Sequence, residues 1–121
     1  SKQLKFLDDT LTACHEQFAL IAMHHHPVPM GSHWLDGIGL HNAEEFFAVV
    51  DRHAHVRCIT WGHVHQASER TRNGVTLLSA PSTCSQFLPD SDGFRLDTKP
   101  PGYRWLDLQP DGSVKSEIVW L

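Results

Sequence analysis

Ile59-Thr60-Trp61-Gly62-His63-Val64-His65 is the stretch of sequence that decides the fold. The residues that lead into it, from Val56, are mostly apolar and β-prone, which predicts a buried strand ending near Gly62. A glycine lets the chain turn through backbone angles that a Cβ forbids. His63 and His65 follow two residues apart, and in extended or tightly turned backbone such side chains share a face. The stretch therefore predicts two imidazoles at a strand end, a natural setting for a divalent metal.

A second group of histidines, His24-His25-His26, follows another apolar run, residues 18–23. This run lacks the polar alternation of a half-exposed strand, so it predicts a buried strand that is parallel to its neighbours. Two strand ends that both carry histidines suggest one shared site. The alternative is that these histidines only occupy turns, and the residues alone leave both interpretations open.

The segments beside these strands predict helices in an α/β arrangement. Apolar residues at three- and four-residue steps predict a helix over residues 2–16, with Ser1 as its N-cap. Residues 27–41 contain several prolines and glycines and are predicted to form a loop. Asn42 is expected to cap a second helix over residues 43–53. A strand, a loop, a helix and a second strand are the usual components of a layered α/β domain.

Two hairpins are predicted in the second half of the chain. Asn73-Gly74 is the strongest short hairpin signal, and Pro110-Asp111-Gly112 separates two runs of alternating apolar residues. Between the hairpins, residues 81–102 are rich in Pro, Ser, Asp and Gly and predict a long irregular passage. The four predicted strands are residues 66–72, 75–79, 103–108 and 114–120.

The composition excludes several classes of protein. A length of 121 residues corresponds to one domain or part of one, and a net charge of -4 gives no basic field for nucleic acid. No apolar run is long enough to span a membrane and no signal peptide is visible, so no membrane partner is expected. The three cysteines are odd in number and widely spaced, which predicts a reducing, cytoplasmic location. Cys84 is interpreted as a small packed residue.

Four motifs of the chain resemble those of a known family. They are MHHHPVP at residues 23–29, HWLD at 33–36, GHVHQ at 62–66 and PSTCSQF at 81–87. In this order and spacing they resemble the C-terminal half of the calcineurin-like metallophosphoesterases. Within that family they are most similar to the bacterial class III cyclic-nucleotide phosphodiesterases, above all those acting on cyclic AMP. The resemblance covers nearly the whole chain, so residues 1–121 are expected to form the C-terminal part of a single domain.

The resemblance implies a fold and an activity. The fold is half of a four-layer α/β/β/α sandwich, with parallel strands first and antiparallel hairpins after. The activity is hydrolysis of 3',5'-cyclic AMP to 5'-AMP by a hydroxide that bridges two divalent metals, which are iron, manganese or zinc. By resemblance, His24 and His63 ligate one metal and His65 the other.

The family's remaining motifs, DxH, GD and GNH, are absent. Asp51-Arg52-His53 spells DxH, but on the predicted helix its two side chains point apart and cannot chelate together. The chain is therefore expected to be the second half of a split site, inactive alone, whose partner is the missing N-terminal half. The loss of that half would expose apolar sheet edges, so copies are expected to self-associate. The alternative is a non-catalytic metal-binding or subunit-interaction module that retains half of the fold.

For other polar and aromatic residues near the predicted site, the sequence leaves two possible roles. Trp34 either stacks on a nucleobase or covers the edge of the core, and Asp36 either caps the loop or contacts substrate. His26, like His25, either orients a metal ligand or lies exposed, while Ser82 and Thr83 lie near the site but also suit a turn. The candidate substrate-binding residues are Trp34, His26, Ser82 and Thr83.

Overall fold

The computed structural model describes all residues, 1–121, and centres on a four-stranded sheet. Strands β1, β2 and β4 run parallel, while β3 pairs antiparallel with β4. The predicted α/β class, with parallel strands before antiparallel hairpins, is confirmed. One difference is that β4, the second strand of the Asn73-Gly74 hairpin, also joins the parallel part of the sheet. In spatial order the strands are β1 (Ala19–Met23), β2 (Val56–Trp61), β4 (Val75–Ser79) and β3 (Ser68–Arg72).

Three helices accompany this sheet: α1 (Lys2–Ala13), α2 (His33–Asp36) and α3 (Ala43–Val50). The predicted cap of α1 is confirmed, because the Leu4 amide donates to the Ser1 hydroxyl over 3.2 Å. Leu11 of α1 and Phe46 of α3 pack in one core cluster with Ile59 and Trp61 of β2. None of the three helices has the length and apolarity needed to cross a membrane.

The predicted helix boundaries are wrong in three places. Helix α1 ends at Ala13, three residues before the prediction, and helix α3 ends at Val50 rather than at residue 53. The residues after α3 are drawn into tertiary contacts: Asp51 binds Arg72 through paired bonds of 2.7 and 3.1 Å. The predicted loop at 27–41 contains the single turn of α2, which buries Leu35 completely.

The DxH sequence therefore lies in a turn and not on a helix. Asp51 is engaged with Arg72, whereas His53 lies 2.7 Å from the carboxylate of Asp8. The two side chains contact different partners, so this sequence does not form a metal site.

The second hairpin is a separate ribbon of β5 (Gly102–Leu108) and β6 (Val114–Trp120). Arg104 fastens it to the sheet, since its guanidinium donates to the carbonyls of Ser79 and Ser68 over 3.1 and 3.2 Å. A third bond of 2.6 Å reaches the Ser116 hydroxyl within the ribbon. Burial lowers the pKa of Arg104, and these charge-assisted bonds compensate for its removal from water.

The passage between the hairpins is irregular, as predicted, apart from a bridge between Phe87 and Leu96. The interpretation of Cys84 as a packed residue is wrong, because this passage leaves its thiol exposed. Cys58 is the buried cysteine, and burial in the centre of β2 raises the pKa of its thiol to about 11.

Candidate metal-binding site

The two histidine-bearing strand ends lie side by side. Met23 of β1 pairs directly with Trp61 of β2, so His24 and Gly62 leave the sheet at the same level. These are the carboxyl ends of parallel strands, where α/β sheets bind their ligands. The predicted convergence of the two strand ends on one place is therefore present.

The backbone after Gly62 takes an uncommon form. His63 and His65 both have positive φ, 66° and 50°, which excludes the extended form and agrees with the tightly turned form considered from the sequence. Left-handed backbone costs a non-glycine residue roughly 1–2 kcal/mol. Asn73 and Asp90 share this geometry, and histidine, like asparagine and aspartate, adopts it more often than most other residues do. His63 and His65, on either side of Val64, therefore form a tight turn directly after β2.

His24 and His63 face each other across the strand ends. Nε2 of His24 lies 3.1 Å from Nδ1 of His63. Two nitrogens that each lie about 2.0–2.1 Å from one zinc ion, at angles of 90–109°, would be about 2.9–3.4 Å apart. The observed separation therefore suits a hydrogen bond between the rings and also suits two neighbouring ligands of one ion.

His25 and His26 complete a cluster of four imidazoles around His63. The ring centroids of His24, His25 and His26 lie 4.9, 4.8 and 5.9 Å from that of His63. Burial is the main cause that lowers the pKa of His63, and the three neighbouring imidazoles lower it further. Burial also lowers the pKa of His26, against the opposing effect of Asp36. Burial therefore favours the neutral form of both rings, which is the form that binds metals.

His26 lies behind His63 and not at the surface. Only 3% of it is exposed, and its ring stacks on that of His63 with an interplanar angle of 20°. Nε2 of His26 lies 3.5 Å from a carboxylate oxygen of Asp36 and close to Gly39, where a Cβ would come within 2.8 Å. This enclosed position suits a residue that supports His63, and substrate binding by His26 stays a prediction.

Asp36 organises the loop that encloses His26. Its carboxylate accepts the amides of Met30 and Gly31 over 2.7 and 3.2 Å. Of the two roles considered from the sequence, capping of the loop is the one its contacts support.

His65 contacts Phe87 and Ser85 of the irregular passage. Its ring stacks on Phe87 with centroids 4.0 Å apart, and its Nδ1 lies 2.9 Å from the carbonyl oxygen of Ser85. A carbonyl only accepts, so Nδ1 must carry the proton and a neutral ring keeps its lone pair on Nε2. Metal-binding histidines are usually oriented by such a bond from the other ring nitrogen. The prediction that His63 and His65 contribute to one site stays a prediction.

These residues fit part of a metal site. His24 and His63 provide two neighbouring nitrogen donors, and His65 has a further ring nitrogen, Nε2, that is free of the bond to Ser85. No group of three histidine, cysteine, aspartate or glutamate side chains is placed to hold one ion. The donor chemistry therefore suits a divalent metal, but the ligand set is incomplete within this chain.

The other candidate substrate residues lie in different surroundings. Trp34 is partly buried and packs edge-on against Phe87 and Phe94, with centroids 5.1 and 5.3 Å apart, which favours its role at the edge of the core. The Ser82 hydroxyl accepts the Cys84 amide over 2.9 Å, as a turn residue does. Thr83 is exposed. Substrate contacts by these residues stay predictions.

Sequence reasoning gave no role to Gly39 or Gln66. Gly39 provides the space that the His26 ring occupies, and Gln66 is a buried amide directly after His65. For Gln66 there was a signal, because a polar residue that follows a histidine pair at a strand end is placed near the same site. Nothing local distinguishes Gly39 from the other glycines of its loop.

Sequence comparison finds relatives that align with nearly all of this chain. It is 46% identical over 116 residues to the 3',5'-cyclic adenosine monophosphate phosphodiesterase CpdA of Pseudomonas aeruginosa. It is 42% identical over 116 residues to the protein of the same name in Escherichia coli K12. Each alignment covers 96% of this chain but only 43% and 42% of the relative, so the chain spans less than half their length. No family model matches the chain.

Among solved structures, a dimetal phosphatase from Danio rerio shares the fold. The match has a TM-score of 0.62 and covers 99% of this chain and 38% of the phosphatase. Sequence identity is 22%, so this likeness concerns the fold alone.

Proposed function

We propose a function from one premise: over nearly its whole length, this chain is homologous to part of the bacterial cyclic AMP phosphodiesterases. The chain is the C-terminal part of a single domain in a longer dinuclear metallophosphodiesterase. That protein hydrolyses 3',5'-cyclic AMP to 5'-AMP. It acts in the cytoplasm, where the three free cysteines of this chain remain reduced.

The pairing of His24 with His63 is the observation that supports this function most directly. The two rings meet at the carboxyl ends of adjacent parallel strands with ligand nitrogens 3.1 Å apart. His63 also has left-handed backbone, a geometry that is common at functional sites. The pair is therefore assigned to one metal ion and His65 to a second.

The roles of the chain's own residues follow from this assignment. When bound, two divalent ions lower the pKa of water and offset the charge of the phosphodiester. His24 and His63 supply neutral nitrogen donors, and the Ser85 carbonyl fixes the tautomer of His65. Two dications held by imidazoles alone would repel strongly, so carboxylates must come from residues outside this chain. The 121-residue chain alone is accordingly proposed to be inactive. Trp34, His26, Ser82 and Thr83 are retained as proposed substrate contacts.

A metal titration of the full-length protein tests the proposed function. After chelation, the protein should lose cyclic AMP hydrolysis, and manganese, iron or zinc should restore formation of 5'-AMP, measured by liquid chromatography. The 121-residue chain should remain inactive with every metal. Hydrolysis that persists after complete metal removal would contradict the proposal. The absence of hydrolysis with any metal would favour a non-catalytic module, an alternative that the incomplete ligand set supports.

The isolated chain is also proposed to associate with copies of itself through the edge of β1. This strand has only β2 as a neighbour, and the adjoining Phe18 is 52% exposed. An uncovered strand edge pairs readily with another chain. Sedimentation velocity at micromolar concentration should show a dimer or a larger species. Ala22→Lys places a charge in the edge strand and should shift the distribution of species toward monomer. A monomeric profile of the unmodified chain would refute this association.

A further inference from the structure

A cavity of about 170 Å³ lies beside His65. The segment after the GHVH residues, the start of β3, the irregular passage and the end of β6 enclose it. Whole small-molecule sites usually measure about 300–1,000 Å³, so this cavity suits one group of a larger ligand. The lining residues that matter for recognition are His65, Gln66, Arg70, Phe87, Lys99 and Trp120.

Gln66 is the polar group of this cavity that lacks a partner. It is only 7% exposed, and its Nε2 is buried without a hydrogen bond to any protein group. Its backbone is fixed, because the carbonyl accepts the Ser79 hydroxyl over 2.6 Å. A buried donor left unpaired costs about 1–3 kcal/mol, so native proteins rarely keep one without a use.

Gln86, which borders the same cavity, shows the ordinary structural alternative. Its Nε2 donates to the carbonyls of Ser82 and Pro100 over 2.7 and 3.0 Å. Its Oε1 accepts the Ser82 amide over 2.8 Å. Gln86 therefore holds the irregular passage together, whereas Nε2 of Gln66, buried at the wall of the cavity, has no protein partner.

The charges around the cavity argue against an anion site. Arg70 and Lys99 are offset by Asp90 and Asp97, which border the same space. Lys99 is further engaged over the ring of Trp120, with its Nζ 5.1 Å from the centroid. Together with Phe87, these surroundings suit a neutral, flat ring that carries hydrogen-bond acceptors.

We propose that this cavity receives the nucleobase of the cyclic nucleotide. Nε2 of Gln66 donates to a ring nitrogen of adenine, which offers N3 and N7 as acceptors. The inference rests on the proposed function, since a phosphodiester held beside His65 carries its base within reach of the adjoining cavity. Gln66 is thus assigned as a specificity-determining residue and takes no part in the chemical step.

The test uses Gln66→Met in the full-length protein, because methionine keeps the length of the side chain and removes the donor. Gln17→Met, at an exposed position, is the matched control. The first readout is the binding of adenosine without added metal, which saturation-transfer NMR measures. The second is the ratio of kcat/KM for cyclic AMP to that for bis(p-nitrophenyl) phosphate, a diester without a nucleobase.

Gln66→Met should weaken adenosine binding and lower the kcat/KM ratio about tenfold, the value of one hydrogen bond, while Gln17→Met changes neither. An unchanged kcat/KM ratio together with unchanged adenosine binding would overturn the inference. The proposed function would still stand in that case, provided that the unmodified protein hydrolyses cyclic AMP. If the unmodified protein hydrolyses neither diester, the proposed function fails. Adenosine binding that depends on Gln66 would then still support the cavity as a base site.

Discussion

Replacing His63 by alanine in the full-length protein is expected to lower cyclic AMP hydrolysis by more than about 100-fold. Loss of a residue that only supports a metal ligand already lowers metal affinity or activity by about 10–100-fold, and His63 is proposed to be a ligand itself. The expectation follows from the 3.1 Å separation between His63 and His24, which places both nitrogens on one proposed ion. Metal content, measured by mass spectrometry after gel filtration, should fall in parallel. His41→Ala, at an exposed histidine, should retain both the activity and the metal.

A double-mutant cycle sharpens this prediction. If His24 and His63 hold the same ion, His24→Ala alone should match His63→Ala, and the double variant should lose little more than either single one. The metal stoichiometry of His65→Ala should differ from that of the His24 and His63 variants, because Nε2 of His65 is assigned to a second ion. A His63→Ala protein that keeps its metal and most of its activity would show that the pair is only a hydrogen bond between rings.

The strands were predictable along the sequence because their signals are local, whereas the place of β4 beside β2 was not. The apolar run of residues 56–61 defines β2 to the residue, and Asn73-Gly74 defines the first hairpin. The ends of α1 and α3 were not predictable to the same degree. The chain after α3 is fixed by the pairs Asp51–Arg72 and Asp8–His53, whose partners are far apart in sequence and leave no periodic pattern.

The candidate site, like the fold, is only partly predictable from the sequence. Histidines at two strand ends are visible in the sequence, and the parallel register brings His24 to His63. The direction of the ring of His65 is not visible, because it depends on a positive φ and on a carbonyl that a distant segment supplies. The enclosure of His26 likewise requires three separate segments to pack, so no local pattern reveals it.

Gly39→Ala is expected to lower the free energy of unfolding by about 1–3 kcal/mol relative to Gly37→Ala, the usual cost of overpacking. A Cβ at Gly39 would lie 2.8 Å from Nε2 of His26 and 3.1 Å from its carbonyl oxygen. At Gly37 the nearest atom is 3.5 Å away, which is an ordinary contact. Both variants restrict the unfolded chain equally, so the difference between them measures the clash. Chemical denaturation of the metal-free protein provides the measurement.

The same variant shows whether the His26 ring supports the metal site. The ring is enclosed between Gly39, Asp36 and His63, so its displacement must move His63 or leave a gap beside it. Gly39→Ala should therefore weaken metal binding as well as stability. Adding His26→Ala to the Gly39→Ala variant should recover part of the lost stability, because the smaller side chain relieves the clash. Equal stability of the Gly37 and Gly39 variants would show that the loop absorbs the added methyl group. Reduced stability with an unchanged metal Kd would show that His26 only fills space behind His63.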